Sequence, residues 1–405
     1  MGFRQYLADA KSAVLTALVP AATATPLAST DNIVVAGLLT SPTGLGQAAR
    51  LSAQDLVESG YHVAFIDLTA QFRTAGGVPL AAGSQAKPGH GTLILHINGD
   101  RTSRALWTIG HQLVREKLVI GYWAWELEVL PASWREGRRR VHEVWAPSKF
   151  VADAVIADGG EGMTRVVPLR AQLPPRDSVD QAARRVAKAR LGLEEDTFLV
   201  VFGFSMQSNF TRKNPLAVIE AFDRAFGDTP RAQLILRCID ADHYADGRAC
   251  LEQAIAHRRN IKLCTDREIT LFDLIVAADT LLSLHRSEGF GLTLLEAMAA
   301  GRPVIATGWS ANTEFMSPAD SALVDFALVP VSDPQGAYTV ADARWAEPDV
   351  DEAATTLRRL YEQPLLRSEI SDRARAKAAQ MAAQSEYPRA LAAAIARQPA
   401  RSSPK

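Results

Sequence analysis

Along almost the whole chain, short apolar runs alternate with longer segments of helical periodicity. This alternation restricts the fold more than any other feature of the sequence. NIVVAGLL (32–39), HVAFID (62–67), TLILHIN (92–98) and KLVIGYW (117–123) read as buried strands. QAARLSAQDLVESG (47–60) reads as a helix stopped by Gly60, and HEVWAPSKFVADAVIADG (142–159) as a strand, a turn and a helix. The rhythm pauses at 168–178, where Pro168, Pro174 and Pro175 sit among polar residues and mark a candidate hinge. It resumes with DTFLVVFGF (196–204), NPLAVIEAFDRAF (214–226), AQLILRC (232–238), NIKLC (260–264), LFDLIVAAD (271–279), TLLSLH (280–285), GLTLLEAMAAG (291–301) and RPVIATG (302–308). From Asp351 to about Arg397 the chain turns helical and rich in Ala and Arg.

The expected fold class is therefore α/β, with two Rossmann-like doubly wound sheets joined by a proline-rich linker. The length agrees, since 405 residues suit two domains at ~100–200 residues each. The expected boundaries are an extension at 1–30, a first domain at 31–170, a linker at 171–190, a second domain at 191–370, and helices with a tail at 371–405. Two such domains on one hinge enclose a cleft. Open α/β sheets bind ligands beyond the carboxyl ends of their strands, which here point at that cleft.

Composition excludes several classes. Lys and Arg number 44 against 45 Asp and Glu, so no polybasic surface is expected and nucleic acid is not an expected partner. Apolar residues at 47% and charged residues at 22% exclude a mainly disordered chain or a multi-span membrane protein. Cys238, Cys250 and Cys264 lack CxxC spacing, which supports neither a disulfide framework nor a zinc site and fits a reducing, cytoplasmic compartment. Phe3, Tyr6, Leu7, Ala10, Val14 and Leu18 recur at helical spacing near the start. An amphipathic helix is expected there, packed on the domain or a second subunit. Peripheral membrane contact through residues 1–20 is the alternative. Asp9, Lys11 and Pro20 break the pattern of an export signal.

The chemistry concentrates in LHRSEGFGLTLLEAMAAGRPVIATGWSANTEFM (284–316). A strand ends near His285, Glu288 lies in the following loop, Gly289 and Gly291 bracket Phe290, and a helix begins at about Leu292. Glycines without side chains let backbone N–H groups approach phosphate oxygens, and a helix N-terminus adds unpaired donors and a favourable dipole. Leu292, Leu295 and Ala299 mark the expected buried face, leaving Glu296 with Thr293 on the open side. A carboxylate there can accept two hydrogen bonds from a ribose diol, and Glu288 can reach a sugar hydroxyl. Upstream, Arg212 and Lys213 directly precede a helix opening at Asn214–Pro215, and two cations there would neutralise a leaving diphosphate.

The whole run closely resembles the Glu-x7-Glu signature of retaining GT-B glycosyltransferases, family GT4 (glycosyltransferase group 1). FGFSMQSNFTRKNPLAVIEAFDRAF (202–226) resembles the phosphate-clamp region of that family. It departs from it where many members carry an Arg and this chain has Phe204 and Ser205, so Arg212 stands as the substitute. GYWAWELEVLP (121–131) resembles a subgroup found in bacterial polysaccharide assembly, with Trp125–Glu126 where the family commonly has His-Asp. The resemblance implies a second domain that binds a GDP- or UDP-linked sugar and a first domain that takes a glycan or lipid-linked acceptor. It also implies C-terminal helices returning toward the first domain. Transfer would retain configuration by front-face substitution, with the donor phosphate deprotonating the acceptor and no cofactor or metal required. On this reading Glu288, Arg212, Lys213 and Glu126 serve catalysis. Glu296, Gly289, Phe290, Gly291, Leu292, Asn312, Gly44 and Gly46 serve the donor, and Trp125 and His96 lie on the acceptor side.

Two motifs compete. Gly44-Leu45-Gly46-Gln47-Ala48-Ala49, followed by Asp67, mimics a dinucleotide fingerprint and would suit an NAD(P)-dependent oxidoreductase. LLTSPT (38–43) separates those glycines from the strand, whereas the fingerprint should follow the strand at once. The preferred reading is a loop facing the cleft. Asp240-Ala241-Asp242 is a DxD beside a turn, and metal binding is not expected there.

Overall fold

The computed structural model describes residues 19, 21–22, 26, 28–80, 83–266 and 268–398. The helix expected near the start, with its membrane contact, lies outside the described residues. The chain divides into two compact units, Met1–Arg170 with Ser385–Lys405, and Ala171–Gln384.

The first unit is built on a six-stranded parallel sheet of β1 (Ile33–Gly37), β2 (Val63–Asp67), β3 (Gly91–His96), β4 (Lys117–Tyr122), β5 (Glu143–Ala146) and β6 (Thr164–Val166), in the order β2-β1-β3-β4-β5-β6. Every residue of β1, β3, β4 and β5 is buried, as strands covered on both faces require. The order reverses between β1 and β3, where Gly37 pairs in register with His96.

Gly44 and Gly46 do not form a loop. They occupy the first turn of the helix Gly44–Glu58, where Thr43 caps the Gly46 N–H. A Cβ on Gly46 would collide with the carbonyls of Ser41 and Leu38, so close packing of the helix start on the 38–41 turn requires glycine. The last helix, Glu386–Ala396, belongs to this unit, and Ser385 Oγ donates to the Asp55 carboxylate at 2.9 Å. Arg397 grips Glu143 through two bonds of 2.9 Å.

His96 is buried beneath that helix. Its Nε2 lies 2.8 Å from the Tyr387 hydroxyl and its ring stacks on Tyr122 at 4.5 Å. Burial pushes the imidazole down to about 3 from its ordinary 6.5, so the folded chain holds it neutral. The unfolded chain takes up the proton near 6.5, so this stabilisation is complete above that pH and is lost as pH falls toward 3. Between pH 7 and 5 the loss is expected to be about 2 kcal/mol. Chemical unfolding across that range, compared with His96→Phe, reads it directly: a stability difference independent of pH would place the histidine outside the core.

The second unit carries β7 (Phe198–Ser205), β8 (Ala232–Ile239), β9 (Ile261–Cys264), β10 (Thr280–Ser283), β11 (Val304–Thr307) and β12 (Ala322–Val324), all parallel, in the order β12-β11-β10-β7-β8-β9. Read from the β9 edge, this is the doubly wound dinucleotide-fold order, with the chain reversing direction across the sheet between β7 and β10. Phe202, Phe222, Leu234 and Leu282 fill the core on one face. The segment 171–190, expected as a linker, includes the helix Gln181–Arg190. Its Lys188 donates to the Thr197 carbonyl at 2.6 Å and to Asp279 at 3.0 Å, which ties the helix to the amino ends of β7 and β10. After β12, β13 (Phe326–Pro330) and β14 (Arg344–Pro348) form a separate antiparallel hairpin. The helices Val350–Glu362 and Pro364–Ala383 complete the unit.

Candidate functional site

The carboxyl ends of β7 and β10 are where the second sheet offers a crevice, and two loops meet there. After β7 the backbone takes a positive φ of 73° at Asn209, runs through the short helix Phe210–Lys213, and turns left-handed at Asn214 with φ 54°. Asparagine tolerates such angles better than most residues. The Asn209 side chain caps the helix by accepting the Arg212 N–H at 2.9 Å, and Pro215 opens the following helix, Pro215–Phe226.

After β10 the chain runs through His285 and Glu288 to Gly291, whose φ of 95° launches the helix Leu292–Ala299. A side chain at Gly291 would also press on Leu294 and Asn312. Ser310 Oγ accepts the Glu288 N–H at 2.8 Å. His285 bridges Ser283 Oγ and Asn312 Oδ1, both at 3.1 Å, while Asn312 donates to the Thr307 carbonyl at 3.0 Å. Burial lowers the His285 imidazole below its ordinary range. Asn312 thus holds this loop against the end of β11 from a fully buried position.

The two loops join through charge. Lys213 Nζ contacts Glu288 Oε1 directly, and Arg212 Nη1 lies 3.4 Å from the same oxygen. Burial alone would raise the Glu288 carboxyl, but Lys213, Arg212 and His285 outweigh it and hold it down to about 2. Arg212 is buried and donates to the carbonyls of Ser287 at 2.7 Å and Ser208 at 2.8 Å. Its guanidinium therefore also stitches the two loops together.

On the helix Leu292–Ala299, residues 294, 295 and 297–299 are buried, and Glu296 shares a half-buried strip with Thr293. Leu292, expected on the buried face, joins that strip. Gly289 and Phe290 are buried, the latter against Phe315 at 5.4 Å. Glu288, Arg212, Lys213, Glu296, Gly289, Phe290, Gly291, Leu292 and Asn312 all lie in this one unit.

The remaining candidates lie in the first unit. Trp125 is buried, donates to the Val129 carbonyl at 2.9 Å and packs on Trp134 at 5.1 Å. Glu126, beside it, is half-buried, and His96 sits in the core described above. Asp67 accepts from the hydroxyls of Thr40 and Thr69 at 2.7 and 2.6 Å and from their N–H groups at 3.3 and 3.1 Å. Its carboxylate is thus engaged in holding the loop after β1, and residues 38–43 separate the end of β1 from Gly44, so the glycines do not follow the strand at once as a dinucleotide fingerprint requires.

Asp240 accepts from Ser205 Oγ at 3.2 Å, while Asp242 pairs separately with Arg248. Among the described residues no group of three or more His, Cys, Asp or Glu could hold a metal ion. Likewise, no described helix is long and apolar enough to cross a membrane. Sequence reasoning missed Ser310, Asp333, Gln335 and Tyr338. Ser310 lies within the 284–316 run but was not singled out, and Asp333, Gln335 and Tyr338 carry no motif while their contacts with 206–212 span more than 120 residues.

Comparison with known proteins agrees with this geometry. Residues 199–342 match the family described as Glycosyl transferases group 1. No curated protein matches the sequence significantly. Among solved structures, HepE of Anabaena in complex with UDP and glucose superposes with a TM-score of 0.63, covering 90% of this chain and 98% of HepE at 15% identity. WaaG, a glycosyltransferase involved in lipopolysaccharide biosynthesis, gives 0.62 over 89% of this chain and 98% of its own at 19% identity. A glycosyltransferase from Rickettsia africae gives 0.62 over 91% and 100% at 14% identity. At these identities the likeness is one of fold. Residues 199–342 of the second unit thus match the group 1 glycosyltransferase family, and the two Rossmann-like units match the GT-B fold.

Proposed function

We propose that this enzyme is a retaining, metal-independent hexosyltransferase that uses a UDP-linked donor and a glycan or lipid-linked acceptor in bacterial surface polysaccharide synthesis. The observation that carries the reading is the Glu288–Lys213–Arg212 cluster at the switch point of the second sheet, beside a helix launched from Gly291. UDP is favoured over GDP because HepE was crystallised with UDP and with UDP-glucose. The polysaccharide role draws on WaaG, and a cytoplasmic setting, with peripheral membrane contact through residues 1–20, accompanies it.

In the reaction, the bond from the anomeric carbon to the diphosphate breaks as the bond to the acceptor oxygen forms on the same face. The acceptor proton passes to a departing phosphate oxygen. Negative charge grows on the diphosphate, and Lys213, Arg212 and the backbone N–H groups at 290–292 are the donors nearest the switch point to receive it. These cations supply the positive charge that a metal would otherwise bring. Glu288 serves the donor sugar, and Glu296 the ribose diol.

A thermal-shift panel of UDP, GDP, ADP, their common sugars, NAD and NADP, with and without Mg²⁺, tests this. A ligand at 100 times its dissociation constant adds ~2.7 kcal/mol, a shift of roughly 3–6 °C. The expected result is a Mg²⁺-independent shift with UDP that Glu296→Ala weakens by roughly 1.5–3 kcal/mol. A shift with NAD or NADP alone would overturn the reading.

A further inference from the structure

The hairpin that follows the second sheet reaches back to the cation-bearing loop. Between β13 and β14, the Asp333 carboxylate accepts three bonds. Oδ1 takes the Asn209 side-chain amide at 2.6 Å and the Gln335 N–H at 2.9 Å, and Oδ2 takes the Tyr338 N–H at 2.9 Å. Gln335 in turn accepts the Phe210 N–H at 2.6 Å and donates to the Met206 carbonyl at 3.3 Å. Tyr338 is buried with its ring 5.7 Å from the Arg212 guanidinium, while Pro334, Gly336 and Ala337 face solvent. The Asp333 and Gln335 side chains thus reach Asn209, Phe210 and Met206.

The target of these bonds is strained. Asn209, with φ 73° and ψ 115°, holds an angle that a non-glycine residue keeps only when its surroundings over-determine it. Its amide orientation is set at both ends, since Nδ2 donates to Asp333 and Oδ1 accepts the Arg212 N–H. That second bond caps the short helix ending in Lys213, whose ammonium meets Glu288.

We infer that Asp333 is a positioning residue for the transfer step: through Asn209 it sets the Phe210–Lys213 turn and so the placement of the Lys213 charge. This rests on the reading that Lys213 neutralises the leaving diphosphate. An Asp333→Asn amide has one oxygen where the carboxylate has two, so it cannot serve all three donors. In the double variant Asn209→Asp/Asp333→Asn the bond between the two side chains reverses direction. The carboxylate at 209 still accepts the Arg212 N–H and the amide oxygen at 333 still accepts from Tyr338, while the Gln335 N–H, which shared Oδ1, loses its acceptor, so the rescue is partial.

The experiment measures UDP release from UDP-glucose and hydrogen exchange of the segment 206–214 in the full-length protein. Asp333→Asn is expected to lower kcat at least ~10-fold with donor KM within ~3-fold, and to speed exchange in 206–214 at nearly unchanged Tm. The double variant is expected to return both toward wild type. Gln335→Ala, which removes only the bonds to Phe210 and Met206, moves them in the same direction and serves if the first variant folds poorly. Unchanged exchange in 206–214, or a kcat loss that the double variant does not lessen, overturns the inference. The exchange readout needs no donor, so it decides the matter whichever nucleotide sugar is used. Lys213→Ala separates the two levels. If it costs turnover while Asp333→Asn does not, only the positioning role fails; if it costs nothing, the reading of the site fails.

Discussion

Lys213→Ala is expected to lower kcat by ~10²–10³-fold, the usual loss when one preorganised donor to a developing negative charge is removed. The Lys213 side chain is only 16% exposed and its ammonium sits against Glu288 at the end of β10, so its charge acts in a poorly screened setting. Donor KM should move less than kcat. The ground-state diphosphate already carries charge, and the increment that Lys213 meets appears only as the glycosidic bond breaks. Lys213→Arg should rescue little, because a planar fork does not reproduce a compact ammonium in contact with one carboxylate oxygen. Steady-state kinetics with donor saturating decide it: a kcat within ~3-fold of wild type would remove Lys213 from the transition state.

Glu288→Gln should cost stability as well as turnover. It leaves Lys213 and Arg212 beside a neutral amide, and breaking one side of a buried ion pair destabilises by about 3–5 kcal/mol. The lower end applies, because Lys213 keeps some access to water. The dependence on pH identifies the cause. The folded carboxyl titrates at about 2 against an ordinary 4.5, so its stabilisation is fully present above 4.5 and is lost as pH falls toward 2. The stability gap between wild type and Glu288→Gln is therefore widest above pH 5 and closes below it. UDP bound on the same cations should stabilise the variant more than wild type. A gap that stays constant with pH would mean that Glu288 acts through packing rather than charge.

The strands and the helix after Glu288 were legible because their signals are contiguous. β7, β10 and β11 are short buried runs centred on apolar residues, and Glu288-Gly289-Phe290-Gly291 stands between a strand and a helix. The hairpin was not legible. β13 is a half-exposed apolar run of five residues ended by Pro330, β14 mixes Arg344 and Glu347 with buried Trp345 and Ala346, and nothing local announces that the two pair across residues 331–343. Gly44 and Gly46 show the opposite failure. Their spacing copies a phosphate-binding fingerprint, but the constraint that selects Gly46 is the backbone of residues 38 and 41 pressing on it. A motif records which residues lack side chains, not what fills the space.

Local pattern determined the α/β class, the two-sheet plan and the segment holding Glu288 and Glu296, since hydrophobic periodicity and glycine placement act over a few residues. Tertiary structure alone decided which charges meet. Lys213 and Glu288 are 75 residues apart, and Asn209 and Asp333 are 124 apart. Coulomb and hydrogen-bond energies depend on distance in space. Only the strand order that sets β7 beside β10, and the hairpin folded over the β7 loop, brings those side chains within reach of one another.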